Sequence, residues 1–498
     1  MTTSGWLWGV VATLVDAHLV AFVVFHCLRR PRDPRSALLW IFVSFAFPFF
    51  GFLLFVIFGI NRIPAKRWKK KVSDRAFWDA LSGGRATEAD TQPIAYWRGL
   101  ARAPQPVLAD AFDRQLNQVL DRCSMRNPLL GGNDVMPLVD GTAAYPEMLA
   151  AIRGATHHIH LQSYIIAPDA VGRAFMEALC ARARAGVRVR ILYDAYGSRT
   201  ARLRGFFRRY QHVPNLSVVG FTQANILKRQ FQLNLRNHRK IMVVDGTTAF
   251  VGGMNLSAGN LGAGGTARAI HDLHFRVRGP VVVELQYTFL RDWYYMTDED
   301  ADVLLSRAAF PATPPAGRMA LRVMNAGPTV PEVIDDAFFN LICGAKDQIL
   351  LLTPYFIPPE ELLSALRSAA LRGVDVKIIL PAHGNQPIAH YAARTAFEYL
   401  LTAGVRIFER KPPFAHTKLL VADGRIVMLG SANFDNRSIH LNYETSVLVF
   451  DESFAQTMKA IVYEDLVQSV EVALATWQRR TTWPRLRENF CALFAPVL

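Results

Sequence analysis

Two copies of one short pattern carry the residue types that could do chemistry in this 498-residue chain. The copies read His238-Arg-Lys240 and His416-Thr-Lys418, and after four intervening residues each is followed by an aspartate, Asp245 and Asp423. An imidazole can attack phosphorus or carry a proton, and an ammonium group offsets the charge of a phosphate. The pattern therefore predicts cleavage of a phosphodiester without a metal ion.

A glycine-containing loop that ends in an asparagine follows each copy at matched spacing. The loops read Gly252-Gly253-Met-Asn255 and Gly430-Ser431-Ala-Asn433, so the repeat covers positions 238–255 and 416–433. A repeat of this length makes coincidence a poor explanation. We expect the amides of Asn255 and Asn433 to help the lysines bind phosphate oxygens, and the two copies to form one symmetric site.

The local structure around each copy can be inferred from the alternation of side chains. His238 and Lys240 would share one face of an extended strand, as would the matching residues of the second copy. The apolar run after each lysine ends in Asp-Gly and leads into a second strand, predicted at 248–251 and 425–429, which indicates a tight hairpin. Because Asp245 and Asp423 lie at these turns, we count them as motif residues with a structural role.

With these motifs the chain resembles the phospholipase D superfamily, whose members carry two such histidine-lysine-aspartate motifs in one polypeptide. Its layout resembles that of the bacterial cardiolipin synthases of the phospholipase D type, with a paired hydrophobic N-terminus, two motif-bearing halves and a short aromatic and basic C-terminal tail. The stretches Leu235-Arg-Asn-His-Arg-Lys240 and Thr353-Pro-Tyr-Phe-Ile-Pro358 are also similar to that subfamily.

The resemblance implies a phosphatidyltransferase that uses no cofactor. His238 would attack the phosphorus of phosphatidylglycerol, while His416 would protonate the departing glycerol and then act as a base. The headgroup hydroxyl of a second phosphatidylglycerol would attack the phosphohistidine and give cardiolipin. Lys240 and Lys418 would hold the nonbridging oxygens.

Two carboxylates match the orienting acids of that family. A histidine nucleophile needs its second ring nitrogen held by an acceptor. Asp272 follows His238 by 34 residues and Glu444 follows His416 by 28, each at the start of a strand-like run. We expect these carboxylates to orient the histidines, and the alternative is an ordinary surface carboxylate. Other histidines, among them His271, lack the matched context and are interpreted as structural or groove-lining.

The basic composition permits more than one class of substrate. A net charge of +15 and a pI near 9.8 indicate an anionic partner, either nucleic acid or an acidic lipid surface. The competing hypotheses are phospholipase D hydrolysis or transfer to another alcohol such as phosphatidylethanolamine, and a membrane-tethered nucleic-acid phosphodiesterase. A non-catalytic scaffold is disfavoured because both motifs are intact. The five cysteines are scattered, so we expect no metal site and no disulfide framework.

The first sixty residues favour a membrane partner. Residues 6–28 and 37–60 are each long and apolar enough to cross a bilayer, which requires about 20 residues as a helix. Arginines at positions 29, 30, 32 and 35 separate them, and the pattern predicts a transmembrane helical hairpin. Pro48 and Gly51 could kink the second segment or make it re-entrant. A cleaved signal peptide is the alternative for the first segment, which lacks a basic n-region and a cleavage site.

We expect a protein of the bacterial inner membrane that crosses the membrane more than once. Basic residues lie between the two segments and again from Arg62 to Lys71, and the positive-inside rule cannot place both groups on the cytoplasmic side of a true hairpin. A re-entrant second segment would allow it, and we place the catalytic region on the cytoplasmic face. The expected partners are phosphatidylglycerol and the bilayer, with no nucleic acid. The sequence does not define the oligomeric state.

Beyond the membrane segments the chain repeats itself. The stretch from Ala151 corresponds to that from Leu341, and the stretch from Ala183 to that from Ala370. We therefore predict an α/β fold with two phospholipase D-like mixed-sheet halves, covered by helices on both faces, that form one active site behind the N-terminal transmembrane hairpin.

The predicted domain boundaries are residues 1–61 for the hairpin, 62–130 for a basic juxtamembrane and linker region, 131–305 and 319–470 for the two halves, 306–318 for the crossover and 471–498 for the tail. The tail contains Trp477, Trp483 and Phe490 among several arginines. This composition predicts either a segment at the bilayer interface or a packed terminal helix.

Overall fold

The computed structural model describes residues 3–29, 34–59, 63–82, 93–123, 127–221, 235–262, 269–327 and 333–495. These residues belong to two compact units, Met1–Lys70 and Lys71–Leu498, and each unit is described by itself. Three arginines of the predicted basic flanks, Arg30, Arg32 and Arg62, and residues 83–92 and 124–126 of the predicted linker region lie outside the described residues.

The first unit consists of apolar helices that pack together. It contains α1 (Thr3–Arg29), α2 (Pro34–Ala46), α3 (Pro48–Leu54), a π-helical turn (Phe55–Gly59) and the start of α4 (Ile63–Ser82). α1 packs against α2 and α3, and Val23, Cys27 and Phe55 form the buried centre of this contact. Among the described helices, the one at Trp8–Arg29 is long and apolar enough to cross a membrane, whereas the apolar helix at Ser36–Ala46 is shorter.

The segment predicted to span at 37–60 is not one uninterrupted helix. The backbone leaves helical geometry at Phe47, with φ −138° and ψ 73°, and Pro48 starts α3. Proline lacks an amide hydrogen and is favoured at the first position of a helix, so here it begins a new helix. The kink that the sequence predicted at Pro48 is confirmed, and whether residues 37–60 span the membrane or re-enter it stays a prediction.

The second unit is built on a large mixed sheet. Its strands are β1 (Leu130–Val139), β2 (His158–Ser163), β3 (Arg188–Asp194), β4 (Leu216–Phe221), β5 (Ile241–Val244), β6 (Thr248–Gly252), β7 (Ile270–His271), β8 (Leu273–Arg278), β9 (Met319–Ala326), β10 (Gln348–Leu352), β11 (Phe356–Ile357), β12 (Asp375–Pro381), β13 (Arg406–Arg410), β14 (Phe414–Ala415), β15 (Leu419–Ala422), β16 (Ile426–Gly430), β17 (Phe434–Asp435), β18 (Glu444–Phe450) and β19 (Ser469–Glu471). Fifteen of them form one sheet in the order β19-β13-β12-β10-β15-β16-β18-β9-β1-β8-β6-β5-β2-β3-β4.

The order of the strands shows that the two halves share one topology. From the centre outward, β1, β8, β6, β5, β2, β3 and β4 match β9, β18, β16, β15, β10, β12 and β13. The strand pairs β2–β3 and β3–β4 are parallel, whereas β5–β6 and β6–β8 are antiparallel, which confirms the predicted mixed sheet. β1 and β9 are antiparallel neighbours, so the halves share one continuous sheet.

Helices cover both faces of this sheet, as predicted. They are α5 (Pro93–Arg102), α6 (Ala111–Cys123), α7 (Asp140–Gly154), α8 (Ala170–Arg184), α9 (Arg199–Leu203), α10 (Val282–Thr297), α11 (Ala301–Leu304), α12 (Val333–Gly344), α13 (Glu360–Leu371), α14 (Pro387–Ala393), α15 (Phe397–Leu401), α16 (Asn436–His440), α17 (Glu452–Val467), α18 (Leu474–Gln478) and α19 (Thr482–Ala492). In β5, Val243 belongs to the core under α10, whereas Met242 and Val244 belong to the core under α7 and α8. This alternation gives each half two apolar layers.

Both predicted hairpins lie next to the motifs. β5 pairs with β6, and β15 pairs with β16, in antiparallel register. Asp245 and Asp423 occupy the turns with φ 51°, a left-handed conformation that aspartate tolerates better than most residues. The Asp245 carboxylate accepts hydrogen bonds from the backbone N–H groups of 156–158, and that of Asp423 from those of 346–348. Each aspartate therefore ties its hairpin to the start of the neighbouring strand.

Candidate active site

Each motif histidine contacts a carboxylate of the opposite half. His238 Nδ1 lies 3.0 Å from a carboxylate oxygen of Glu444, and His416 Nδ1 lies 2.6 Å from Asp272 Oδ2. In the sequence each acid follows the histidine of its own half, yet the structure pairs it with the histidine of the other half. A carboxylate at Nδ1 holds the proton on that nitrogen, and Nε2 is then available to attack or to carry a proton.

Backbone hydrogen bonds between the halves hold each motif histidine next to the acid of the opposite half. The N–H of His238 donates to the Tyr443 carbonyl at 2.9 Å, and the N–H of Tyr443 donates to the Arg236 carbonyl at 2.8 Å. The N–H of His416 donates to the His271 carbonyl at 2.8 Å, where β14 runs parallel to β7. Each motif histidine therefore lies beside the residue that immediately precedes the opposite acid.

The motif residues lie just before the strands on which the sequence predicted them. β5 begins at Ile241 and β15 at Leu419. The preceding backbone bonds to the opposite half instead of continuing the sheet, which is why these strands are shorter than predicted. Lys240 Nζ donates to the His238 carbonyl at 2.7 Å, and the lysine of the second motif makes the same contact with its own histidine.

Side-chain donors hold Glu444. Ser431 Oγ donates to one carboxylate oxygen at 2.6 Å, and Asn442 Nδ2 lies 3.2 Å from the other. Burial raises the pKa of this carboxyl, but the charges of His238 and Lys240 and the hydrogen bonds hold it below its ordinary value. Glu444 is therefore a buried anion, and such a group is stable only when it is paired in this way.

Asp272 is held mainly by the backbone around it. Its Oδ1 accepts a hydrogen bond from the N–H of Leu273 at 2.8 Å. Gly253 lies so close that a Cβ at this position would come within 2.3 Å of Oδ1. Burial raises the pKa of Asp272, but the charges of His416 and Lys418 outweigh burial and keep the pKa below its usual value. This acid is also a buried anion.

Burial lowers the pKa of both motif histidines. For His238 burial outweighs the opposing effect of Glu444, and for His416 burial together with the charge of Lys418 lowers the pKa to about 4. Both pKa values are therefore lower than that of an ordinary histidine, which favours the neutral imidazole that attack on phosphorus requires. A bound phosphodiester anion would raise both pKa values, which would let one imidazole acquire the proton that a leaving group needs.

Both motif lysines are buried. Burial lowers the pKa of Lys240 to about 7 and that of Lys418 to about 8, although nearby carboxylates raise both. The charge of Lys418 also lowers the pKa of His238, so the lysine of one motif acts electrostatically on the histidine of the other. An anion between the motifs would restore both positive charges, which suits a phosphate-binding pair.

Asn255 and Asn433 are buried residues of the two glycine-containing loops. Asn255 Oδ1 accepts a hydrogen bond from the N–H of Ile165 at 3.0 Å, so its amide NH2 group is the end that can donate to a phosphate. Asn433 Nδ2 lies 3.1 Å from Ser438 Oγ, and its buried Oδ1 has no hydrogen-bond partner among the described atoms. Rotating this amide by half a turn would give the hydroxyl to Oδ1 and free the nitrogen for an anion. Phosphate binding by both asparagines stays a prediction.

Arg239, between the first motif's histidine and lysine, was not assigned a role from the sequence. It forms a buried ion pair with Asp292, and its Nε donates to the Glu444 carbonyl at 3.2 Å and to Thr445 Oγ1 at 3.0 Å. Arg239 therefore links the backbone of Glu444, in the second half, to the first motif. The second motif has Thr417 at the matching position, so comparison of the two copies does not indicate a role for Arg239.

His271 was interpreted as structural or groove-lining, and the structure places it at a junction of charges between the halves. Its Nδ1 lies 3.0 Å from Asp140 and its Nε2 3.1 Å from Asp465, which also accepts from Arg410 Nε at 2.6 Å. Burial lowers the pKa of His271, but hydrogen bonds to the two carboxylates outweigh it and raise the pKa to about 9. This imidazolium immediately precedes Asp272, a position that could have drawn attention in the sequence.

Tyr164 is an aromatic neighbour of the first motif that the sequence did not reveal. Its ring lies edge-on to the His238 ring with 4.9 Å between centroids, and Lys240 Nζ lies 5.4 Å from the Tyr164 centroid. A cation near an aromatic face is attracted by the ring quadrupole. Tyr164 therefore restricts the positions of the first motif's histidine and lysine together.

Comparison with known proteins supports a relationship over almost the whole chain. A family model described as "Cardiolipin synthase, PLD-like domain" matches residues 148–293 and 338–466, and a model described as "Phospholipase_D-nuclease N-terminal" matches 19–59. Cardiolipin synthases of Halalkalibacterium halodurans and Geobacillus kaustophilus are 32% and 33% identical, each over 99% of this chain and 95% of the relative. A probable cardiolipin synthase of Bacillus subtilis, YwiE, is 29% identical over 96% of this chain and 92% of its own length.

The fold also resembles that of a solved structure. The phosphatidylserine synthase of Haemophilus influenzae superposes with a TM-score of 0.59, covering 78% of this chain and all of its own, at 13% sequence identity. At this identity the likeness concerns the fold alone.

Proposed function

Because this chain belongs to the bacterial cardiolipin synthases of the phospholipase D superfamily, we propose that it transfers a phosphatidyl group from one phosphatidylglycerol to another, giving cardiolipin and glycerol. The observation that carries this proposal is the exchange of acids, by which each motif histidine is held by a carboxylate of the other half. Two oriented imidazoles at one phosphate supply the nucleophile and the acid that the reaction needs.

In the first step both motifs act on one phosphate. Nε2 of His238 attacks phosphorus, a P–N bond forms, and the P–O bond to glycerol breaks. His416, protonated once the anion is bound, donates its proton to the departing glycerol oxygen. Lys240 and Lys418 offset the charge on the nonbridging oxygens. The choice of His238 as nucleophile rests on the family resemblance.

The second step reverses the roles. Neutral His416 removes the proton from the headgroup hydroxyl of a second phosphatidylglycerol, and that oxygen attacks phosphorus. The P–N bond breaks, His238 is restored, and cardiolipin forms. Both motif histidines are at least nine-tenths buried, so bulk water has little access to the phosphohistidine. This burial supports transfer to a lipid alcohol over hydrolysis.

The family and the long apolar helix α1 associate the chain with a membrane. We propose further that residues 6–28 and 37–60 form a membrane hairpin that precedes the linker region 62–130, and that the halves 131–305 and 319–470, joined by 306–318, lie on the cytoplasmic side with the tail 471–498. The exposed thiol of Cys343 tests this placement. In sealed right-side-out vesicles a membrane-impermeant maleimide should label Cys343 only after permeabilisation, and labelling of the intact vesicles would contradict the cytoplasmic face.

The reaction is tested with the purified full-length protein in detergent and phosphatidylglycerol as the only lipid. Cardiolipin and glycerol should appear in equal amounts, and excess chelator should not change the rate, because two imidazoles and two lysines provide the chemistry. Among the described residues no group of three or more His, Cys, Asp or Glu side chains could hold a metal ion. Loss of activity with chelator would contradict the metal-independent mechanism.

The products also separate the proposal from its alternatives. Phosphatidic acid without cardiolipin would indicate a hydrolase, and cleavage of DNA or RNA without any lipid product would indicate a nucleic-acid phosphodiesterase. A His212→Ala variant, which changes an exposed histidine outside both motifs, serves as the control and should retain wild-type activity.

A further inference from the structure

The C-terminal helix α19, together with its C-cap residue Leu493, presents a row of large apolar side chains to solvent. Trp483, Leu486, Phe490 and Leu493 are 80%, 53%, 62% and 73% exposed. Their spacing of three, four and three residues places them on one side of a helix. Exposed apolar side chains that occur singly need no explanation, whereas a contiguous row of them marks an interaction surface.

The opposite side of α19 is attached to the folded domain. Glu488 and Cys491 are buried, and Glu488 accepts hydrogen bonds from Arg394 and Arg480 at 3.2 and 2.7 Å. Arg480 also lies 3.2 Å from the ring centroid of the buried Trp477. The helix is therefore fixed in orientation, and its exposed row cannot turn inward without breaking these ion pairs.

Basic residues flank the exposed row along the chain. Arg479 and Arg487 are exposed, and Arg487 lies over the ring of Tyr391 at 3.8 Å. An apolar row with Trp and Phe, flanked by arginines, suits the boundary between acyl chains and anionic headgroups. A soluble protein partner would have no comparable need for the flanking positive charge, and the substrate of the family is itself an anionic lipid.

The position of α19 connects this surface to the candidate active site. α19 packs against α14, and the loop before α14 contacts Tyr355 through Asn385 Oδ1 at 2.6 Å and Gln386 Nε2 at 3.2 Å. Tyr355 directly precedes β11, which pairs with β17. β17 begins immediately after Asn433, so a short path of contacts leads from the exposed row to a candidate phosphate-binding residue.

We propose that the row Trp483, Leu486, Phe490 and Leu493 is a docking surface for an anionic lipid bilayer, which seats the catalytic domain where lipid headgroups can reach the motifs. Lipid contact at this surface is independent of the proposed reaction. Only the activity measurement below rests on the proposed function.

Lipid contact is tested with a polarity-sensitive bimane label on the full-length protein. Leu486→Cys is labelled in a background that carries Cys123→Ser and Cys343→Ser, and Leu371→Cys, a similarly exposed site on α13, is the matched control. After reconstitution into phosphatidylglycerol and phosphatidylcholine vesicles, the label at 486 should shift to shorter wavelength and be quenched by brominated acyl chains, while the label at 371 should not. No quenching at 486 would overturn the proposal. A shift at 486 that already occurs in detergent and grows with protein concentration would also overturn it, because a second copy of the chain would then cover the row.

Activity provides the second readout. Replacing the four residues of the row by serine should lower cardiolipin formation from vesicles by about tenfold or more, because this change removes most of the apolar area available to the bilayer. The same variant should retain wild-type activity on phosphatidylglycerol dispersed in detergent, which shows that it is folded. The control replaces four exposed apolar residues elsewhere, Val107, Leu203, Leu371 and Val467, and should not affect vesicle activity. Equal losses in both assays would overturn the proposal, whereas lipid contact at 486 in a protein that forms no cardiolipin would contradict only the proposed function.

Discussion

The acid that holds His238 and the acid that holds His416 occupy matching positions in the two halves, but the protein stabilises them by different means. Around His238, Glu444 depends on side chains, because Ser431 and Asn442 both donate to its carboxylate. Glutamate has one more rotatable bond than aspartate, so more contacts are needed to restrict its carboxylate to one place.

Around His416 the acid depends on the backbone. Asp272 receives the N–H of Leu273, and Gly253 packs directly against its carboxylate. Gly253 and Ser431 are matching positions of the repeat, so one half fills the space with a hydroxyl and the other leaves it for the acid. The duplicated fold thus preserves where the imidazoles and carboxylates lie, while each half positions its carboxylate independently.

Neutralising either acid should cause the largest loss of activity. Glu444→Gln and Asp272→Asn should each lower kcat for cardiolipin formation by about 10⁴-fold, because an amide no longer favours the Nδ1–H tautomer and no longer stabilises the imidazolium. Initial rates with phosphatidylglycerol measure the loss. If either variant kept a rate near that of the wild type, the exchanged pairing would not matter to the reaction.

The loop positions should respond unequally. Gly253→Ala should lower activity by about 10²-fold, because the new Cβ displaces Asp272 and a small misplacement of a catalytic group has a large cost. Ser431→Gly removes one hydrogen bond and leaves Asn442 in place, so a loss of about tenfold is expected. Steady-state kinetics of both variants, with thermal unfolding to show that each is folded, makes the comparison. Equal losses would contradict the distinction between a backbone-held and a side-chain-held acid.

The charged junction at His271 gives the Asp272 side a pH-dependent stability that the Glu444 side lacks. The pKa of His271 is raised to about 9 from an unfolded value of about 6.5. Its contribution, on the order of 3 kcal/mol, is therefore fully present below pH 6.5 and is lost as pH rises through 9. The melting temperature of the wild type should fall across this range more steeply than that of His271→Gln. Parallel curves would show that the imidazolium does not link the halves.

The two lysines should differ slightly in their response to alkali. Burial lowers the pKa of Lys240 to about 7 and that of Lys418 to about 8, so each loses its charge as pH rises and kcat/KM for lipid should fall above neutral pH. Arginine keeps its charge in this range. Among variants that remain active, Lys240→Arg should therefore move the alkaline decline of the pH profile of kcat/KM to higher pH by more than Lys418→Arg does. An unchanged profile in both would mean that other groups cause the decline.

The sequence predicted what depends on local spacing. Repeated motifs revealed the duplication, Asp-Gly placed the hairpins at Asp245 and Asp423, and Pro48 signalled the kink in the second apolar segment. Each of these features is determined by residues a few positions apart, whose backbone preferences act directly on one another.

Contacts between the halves could not be predicted in this way. The pairing of Asp272 with His416 joins residues 144 positions apart, and its reverse, Glu444 with His238, joins residues 206 apart. Neither partner's neighbours indicate the exchange. The role of His271 could not be predicted for the same reason, because Asp465 contacts it from the other half.

Trapping the intermediate tests whether His238 forms the covalent bond while His416 transfers protons. Phosphatidyl-p-nitrophenol, labelled in the phosphatidyl group, is the suitable substrate because nitrophenolate departs without being protonated. In His416→Ala the labelled protein should accumulate, with the phosphatidyl group on residue 238, and it should turn over slowly. In His238→Ala no labelled protein should form. Label on His416 in the His238→Ala variant, together with none in His416→Ala, would reverse the roles assigned to the two histidines.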